Sequence, residues 1–197
     1  MKVGVVAFQD AVSEHMQMVD SILGKGSAIP VRWVDELSKV SAVIIPGGES
    51  TTIGKLMRNS GVFNKIKALG EQGTPIMGTC AGMIMLAREG DEQARRTGEL
   101  LGLMDMKVRR NAFGRQKESF EEELKVEGIG KYHCVFIRAP AVEKVYGKCK
   151  AIARSGGYIV AAEQGNLLAT AFHPELTEDL RVHRYFLEKV NIHLNSI

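Results

Sequence analysis

Pro75-Ile76-Met77-Gly78-Thr79-Cys80-Ala81-Gly82-Met83-Ile84 reads as a short apolar strand that turns sharply at a cysteine and re-enters the fold as a helix. Gly78 and Gly82 bracket the cysteine in the small-x-nucleophile-x-small spacing of a nucleophile elbow, a strained turn in which larger flanking side chains would collide. Such a cysteine sits at a helix amino terminus, where unpaired N–H groups favour negative charge and draw a thiol below its free pKa of about 8.5. The same pattern also fits a small buried structural cysteine, so the elbow needs partners elsewhere in the chain.

Upstream, residues 2 to 8 (KVGVVAF) are apolar on both alternating faces, as a strand buried on both sides of a parallel sheet requires. Val12, Met16, Val19 and Leu23 then recur at helical spacing, and Gly24 and Gly26 end the pattern before a short strand around Ile29 to Val34. A third apolar run, Ala42 to Ile45, stops at Pro46-Gly47-Gly48, and helical stretches fill residues 51 to 72. Strand and helix alternate throughout, which predicts a three-layer, doubly wound α/β fold around a mostly parallel sheet.

Downstream the rhythm changes. Phe120, Glu122, Leu124 and Val126 alternate with Glu121, Glu123, Lys125 and Glu127, the pattern of a half-exposed, antiparallel strand. Further strands are expected at Val135 to Arg138, Lys150 to Ala153, Tyr158 to Ala162 and Leu167 to Phe172, separated by turns such as Ser155-Gly156-Gly157. A closing helix from about Glu178 carries Val182, Phe186 and Val190 on one stripe, with Thr177 as its N-cap. The charged stretch Glu89 to Arg96 reads as an exposed excursion.

The chain has 197 residues, 45% of them hydrophobic, enough for one sizeable core, so residues 1–197 are read as a single domain. Its net charge of +3 is scattered, with basic doublets only at Arg95-Arg96 and Arg109-Arg110, which argues against nucleic acid and against an anionic membrane surface. The opening MKVGVVAFQD meets Asp10 too soon for a secretory signal, and no apolar run approaches membrane-spanning length. Cys80, Cys134 and Cys149 form no CxxC pair, so a reduced, cytoplasmic setting is expected, without a disulfide framework or a metal site. Cys134 reads as core filler and Cys149, between two lysines, as a surface thiol.

A cysteine nucleophile needs a base, and the base needs a group that holds its ring and tautomer. His173-Pro174-Glu175 offers both at the end of the strand Leu167 to Phe172: Pro174 favours an extended His173, and residues two apart in extended chain project to the same side. Functional groups gather at the carboxyl ends of strands in open α/β sheets, where Cys80 also lies. His15, His183 and His193 fall in helical patterns and His133 opens a strand, so these four are expected to be packed or solvated.

Pro46-Gly47-Gly48-Glu49-Ser50-Thr51 follows a buried strand and lets backbone N–H groups approach a ligand. Gly54-Lys55 evokes a P-loop, but five residues rather than four separate Gly48 from Gly54, and Leu56 follows the lysine. For a thioester-forming enzyme the oxyanion donors are then the N–H groups of Ala81 and Gly48.

VVAFQD, PGGESTT, GTCAGMI, RRNAFGRQ, FIRAP and AFHPELTED, in this order and spacing, resemble the glutaminase subunits of two-component pyridoxal 5'-phosphate synthases, a branch of the class I, triad-type glutamine amidotransferases. The resemblance spans nearly the whole chain. It implies a class I amidotransferase fold, flavodoxin-like, with extra antiparallel strands. It assigns the triad to Cys80, His173 and Glu175, and glutamine binding to Gly48, Glu49, Ser50, Arg110, Ile137 and Arg138. Arg110 and Arg138 are permanent cations suited to a carboxylate, and Glu49 to an α-amino group. The implied reaction is hydrolysis of L-glutamine to L-glutamate and ammonia through a glutamyl thioester, with no cofactor. The ammonia is implied to pass to a partner synthase subunit that builds pyridoxal 5'-phosphate from ribose 5-phosphate and glyceraldehyde 3-phosphate. Asp10 departs from the family's usual glycine after Gln9, and residues 89–98 fall where the family varies.

A glutaminase serving another acceptor, such as imidazole glycerol phosphate synthase, shares the triad but leaves RNAFGRQ and IRAP without a reason. A non-catalytic binding protein on the same scaffold is disfavoured by the intact triad. A cysteine peptidase is disfavoured by the arginines.

Overall fold

A computed structural model describes residues 1–114 and 118–195; Arg115 and Gln116 of the RNAFGRQ segment lie outside the described residues. The first half runs β1 (Val3–Val6), α1 (Val12–Leu23), β2 (Ala28–Val31), α2 (Val34–Leu37), β3 (Ala42–Ile45), α3 (Ser50–Asn59), α4 (Val62–Glu71), β4 (Ile76–Thr79) and α5 (Ala81–Leu86). The second runs β5 (Ala87–Glu89), α6 (Glu92–Thr97), β6 (Met104–Arg109), β7 (Ser119–Val126), β8 (Gly130–Ile137), β9 (Ala141–Val145), β10 (Lys150–Ser155), β11 (Tyr158–Gln164), β12 (Leu167–Thr170), a 3-10 turn (Pro174–Leu176) and α7 (Arg181–Leu194).

The main sheet has the order β2-β1-β3-β4-β12-β11-β9-β6-β5, with β10 added against β11. From β2 to β12 every pairing is parallel. Residues of β1, β3, β4 and β12 are buried at every position, which is why their sequences run apolar without alternation. The step from β1 to β2 moves one way along the sheet and the later steps move the other. Right-handed crossovers therefore put α1 on one face and α2 to α4 on the opposite one, where α5 joins them by packing on α3. Contacts of α1 with α7, and of α4 with α2 and α3, agree with this division. The order reverses between β1 and β3, and loops leaving the carboxyl ends of β1, β3, β4 and β12 open onto one edge.

Beyond β12 the sheet turns antiparallel through β11, β9 and β6. β7 and β8 form a separate antiparallel hairpin. Along β7, Leu124 and Val126 are buried while Glu121, Glu123 and Lys125 are exposed, so the alternation in the sequence matches the two faces of the strand.

Several expectations need correction. The second strand ends at Val31, and Val34 opens the short helix α2, whose entry is fixed by Glu36 accepting the N–H groups of Arg32 and Trp33 at 2.6 and 2.9 Å. Thr177 does not cap α7, which starts at Arg181; its hydroxyl instead accepts the Asp179 N–H at 3.3 Å and lies 3.0 Å from the Tyr132 hydroxyl. Cys149 is buried rather than on the surface. The stretch Glu89 to Arg96 is exposed at Glu89, Glu92, Gln93, Arg95 and Arg96, as expected, but it is built as the end of β5 and as α6, with Asp91 capping the Ala94 N–H at 2.9 Å and Ala94 packed inside.

Candidate active site

The elbow stands as the glycines require. Cys80 holds φ +50° and ψ −103°, a conformation that L residues adopt only when the surroundings enforce it. A Cβ on Gly82 would lie 2.1 Å from the carbonyl oxygen of Ile45, and one on Gly78 would lie 2.5 Å from the Gly82 carbonyl. The Cys80 N–H donates to Thr170 O at 2.8 Å, tying the turn to the end of β12.

His173 follows β12 at once. Its N–H donates to Val135 O of β8 at 2.8 Å, and its Nδ1 lies 2.7 Å from Glu175 Oε1. The two side chains meet by a tighter route than extended backbone: Pro174–Leu176 is a 3-10 turn that brings the carboxylate round beneath the ring. Burial opposes charge on His173, but its interaction with the Cys80 sulfur, then that with Glu175, outweighs it and raises the imidazole to about 10. The ring is thus placed between the sulfur it would serve as base and the carboxylate that orients it. Nε2 is buried and has no hydrogen bond of regular geometry. The Cys80 thiol donates to Ile137 O at 3.9 Å. Burial pushes the Cys134 thiol up to about 12 and the Cys149 thiol to about 11.

Beside the thiol, the loop after β3 passes close to the base. A Cβ on Gly47 would sit 2.6 Å from His173 Cε1, and Gly48 holds φ +132°, open in practice to glycine alone. Gln9 accepts the Glu49 N–H at 2.7 Å and so anchors this loop to the chain leaving β1. Ala81 is the first residue of α5, so its N–H belongs to the helix's first turn, where backbone donors have no partner within the helix.

Cys80, Ala81, His173, Glu175, Gly48, Glu49, Ser50, Arg110, Ile137 and Arg138 all line one cleft of about 630 Å³. That space suits a small polar molecule such as an amino acid. Arg110 forms a bidentate pair with Asp91, Nε to Oδ2 at 3.0 Å and Nη2 to Oδ1 at 2.7 Å, and its Nη1 lies 3.4 Å from the fully buried Glu99. Arg110 holds the Asp91 carboxyl down to about 2, and Asp91 in turn raises the guanidinium. Ser50 donates its hydroxyl to Glu99 at 3.0 Å. Glu49 caps α3, accepting Thr51 and Thr52 N–H at 3.0 and 2.7 Å, so its carboxylate is already engaged where an amino-group partner was expected. Arg138 is exposed at φ +43°, with its N–H bonded to Glu118 O at 2.5 Å.

Asp91 and Glu99 are site residues that the sequence did not announce. Both lie in or beside a charged stretch that reads as solvent-facing, and their partner is 19 or 11 residues away across two turns of chain. Arg110, a lone cation in a cleft, was the only available signal. Among the described residues, no group of three or more His, Cys, Asp or Glu is placed to hold a metal ion, and no helix is long and apolar enough to cross a membrane.

Known proteins carry the same architecture. A solved crystal structure of a glutamine amidotransferase superposes with a TM-score of 0.90 at 45% identity, covering 97% of this chain and 100% of that one. The structure of PurLQS from Thermotoga maritima, at 16% identity and a TM-score of 0.64 over 98% of each chain, shares the fold alone. Pyridoxal 5'-phosphate synthase subunit PdxT of Methanopyrus kandleri is 52% identical over 96% of this chain and 100% of its own length. The protein of that name from Methanosarcina barkeri is 48% identical over 96% of this chain and 98% of its own. The family model described as the SNO glutamine amidotransferase family matches residues 5–192. The chain belongs to the SNO glutamine amidotransferase family.

Proposed function

We propose that this chain is the glutaminase subunit of a pyridoxal 5'-phosphate synthase, hydrolysing L-glutamine to L-glutamate and ammonia and delivering the ammonia to a synthase subunit. The observation that carries the reading is the buried His173–Glu175 pair at 2.7 Å, set beside an elbow cysteine in a cleft that also holds Arg110. The names of relatives matched over 96% of this chain supply the destination of the ammonia.

In this reading the Cys80 thiolate attacks the side-chain amide carbon of glutamine, and Gly48 and Ala81 N–H groups receive the oxyanion. His173 gives its proton to the departing nitrogen, which leaves as ammonia. A water molecule then loses a proton to His173 and attacks the glutamyl thioester; thiolate departs and glutamate is released. Glu175 keeps the ring in one tautomer throughout. Arg110, and Arg138 at the rim, offer positive charge to the α-carboxylate, while Glu49, Ser50 and the Ile137 backbone complete the wall. The partner is a synthase subunit that receives the ammonia.

Glutamine hydrolysis measured for the chain alone, then mixed with a pyridoxal 5'-phosphate synthase subunit, tests this. Ammonia release stimulated by the partner and lost in Cys80→Ala is expected. Equal release by Cys80→Ala would overturn the reading.

A further inference from the structure

Behind the site lies a chain of buried polar groups that the reaction described above does not use. His15 of α1 and His183 of α7 are both fully buried. His15 Nδ1 lies 2.9 Å from His183 Nε2, and His15 Nε2 lies 3.1 Å from Thr79 Oγ1, one residue before the nucleophile. The same Nε2 lies 3.3 Å from Glu175 Oε2, the oxygen turned away from His173. Oε2 and His183 Nδ1 are buried and neither makes a hydrogen bond of regular geometry, so His15 Nε2 is the nitrogen within ion-pair distance of an otherwise unmet carboxylate oxygen.

Two tautomer arrangements are open to this pair, and counting donors and acceptors separates them. If His15 carries its proton on Nδ1, it donates to His183, whose own proton then sits on Nδ1 with no acceptor. Its bare Nε2 lone pair would also face a carboxylate oxygen at 3.3 Å, leaving Oε2 without a donor. If His15 carries its proton on Nε2, that proton is shared between Thr79 Oγ1 and Glu175 Oε2, and His183 donates to Nδ1. The groups then unmet, the His183 Nδ1 lone pair and the Thr79 O–H, are both neutral, whereas the first arrangement strands the carboxylate oxygen Oε2. Burial holds both rings neutral, lowering His15 well below its ordinary value and His183 to about 4, so each has one proton to place.

We propose that His15 is a positioning residue of this site: its Nε2–H holds Glu175 Oε2, which aims Oε1 at His173 Nδ1, and His183 fixes the required His15 tautomer from behind. Nothing in the sequence hints at this, since His15 and His183 are 168 residues apart. Helices α1 and α7 meet on the face of the sheet away from α2 to α5. The Glu175 carboxylate is thereby gripped from two sides, an arrangement suited to a group whose direction matters more than its charge alone.

The inference rests on the glutaminase reading only for its consequence, so the experiment has two arms. Nitrogen-15 NMR of histidine-labelled full-length protein, with His15 assigned by comparison with His15→Gln, reads the tautomer directly. A proton on His15 Nε2 is expected; a proton on Nδ1 overturns the proposal, even if the chain hydrolyses no glutamine. In the second arm, glutamine hydrolysis with the synthase subunit is measured for His15→Leu and His15→Gln. Leucine should lower kcat about tenfold with KM changed less than about twofold, and glutamine, whose amide N–H reaches towards the place of Nε2, should recover most of the loss. Equal losses in both variants, or a loss in neither, would also overturn it. Failure of the leucine variant to fold leaves the decision to the NMR arm.

Discussion

The parallel half of the sheet and the antiparallel half handle charge in opposite ways. In the parallel half, Cys80, His173 and Glu175 are between 5 and 8% exposed, and each is fixed by backbone bonds at strand ends or by a buried partner. On the other side of the cleft, Arg110 follows β6 and is held by Asp91 at the start of α6, while Arg138 is exposed. The groups proposed to react are thus set in buried packing at strand ends. The groups proposed to meet the ends of the substrate ride on connections, where Arg110 would exchange its Asp91 partner for ligand.

Breaking the buried side should have the largest effect. Glu175→Gln keeps the shape but offers His173 the wrong hydrogen-bond partner, and kcat for glutamine hydrolysis is expected to fall between about 10² and 10⁴-fold. Near-normal turnover in that variant would show that the buried pair is structural. Gly82→Ala forces a Cβ to 2.1 Å from Ile45 O, a backbone atom unable to rotate away. A loss of about 3 kcal/mol or more in denaturant unfolding is expected, with little soluble activity.

Breaking the exchangeable side should alter affinity instead of turnover. Arg110→Ala removes a charge-assisted contact and is expected to raise KM for glutamine about ten- to a hundredfold, with a lowered unfolding midpoint because the buried Glu99 loses its cation. An unchanged KM would remove Arg110 from the substrate site.

The smallest effect concerns the buried histidines. His183 has a folded value of about 4, below the ordinary 6.5, so the unfolded chain binds its proton more readily. Stability is therefore complete above about pH 6.5 and declines as pH falls towards 4. His183→Leu should flatten that part of the stability curve; an unaltered slope would place the linkage elsewhere.

The contrast between halves also marks what the sequence disclosed. Continuous apolar runs made β1, β3 and β4 visible, and steric need made the Gly78–Gly82 turn and His173-Pro174-Glu175 legible as chemistry, because each depends on neighbours within five residues. β5, β6 and β9 carried no comparable pattern, being short or irregular in register. Asp91, Glu99, His15 and His183 stayed hidden for a different reason. Their meaning comes from partners tens of residues away, and a charged residue before a short helix, or a histidine on a helix, looks the same whether paired or not.

The most direct measurement is covalent labelling of the wild-type chain, bound to the synthase subunit, with an electrophilic glutamine analogue, followed by peptide mapping. A single adduct at Cys80, protected by glutamine, is the expected result. No adduct, or one at Cys134 or Cys149, would contradict the assignment of Cys80 as the nucleophile.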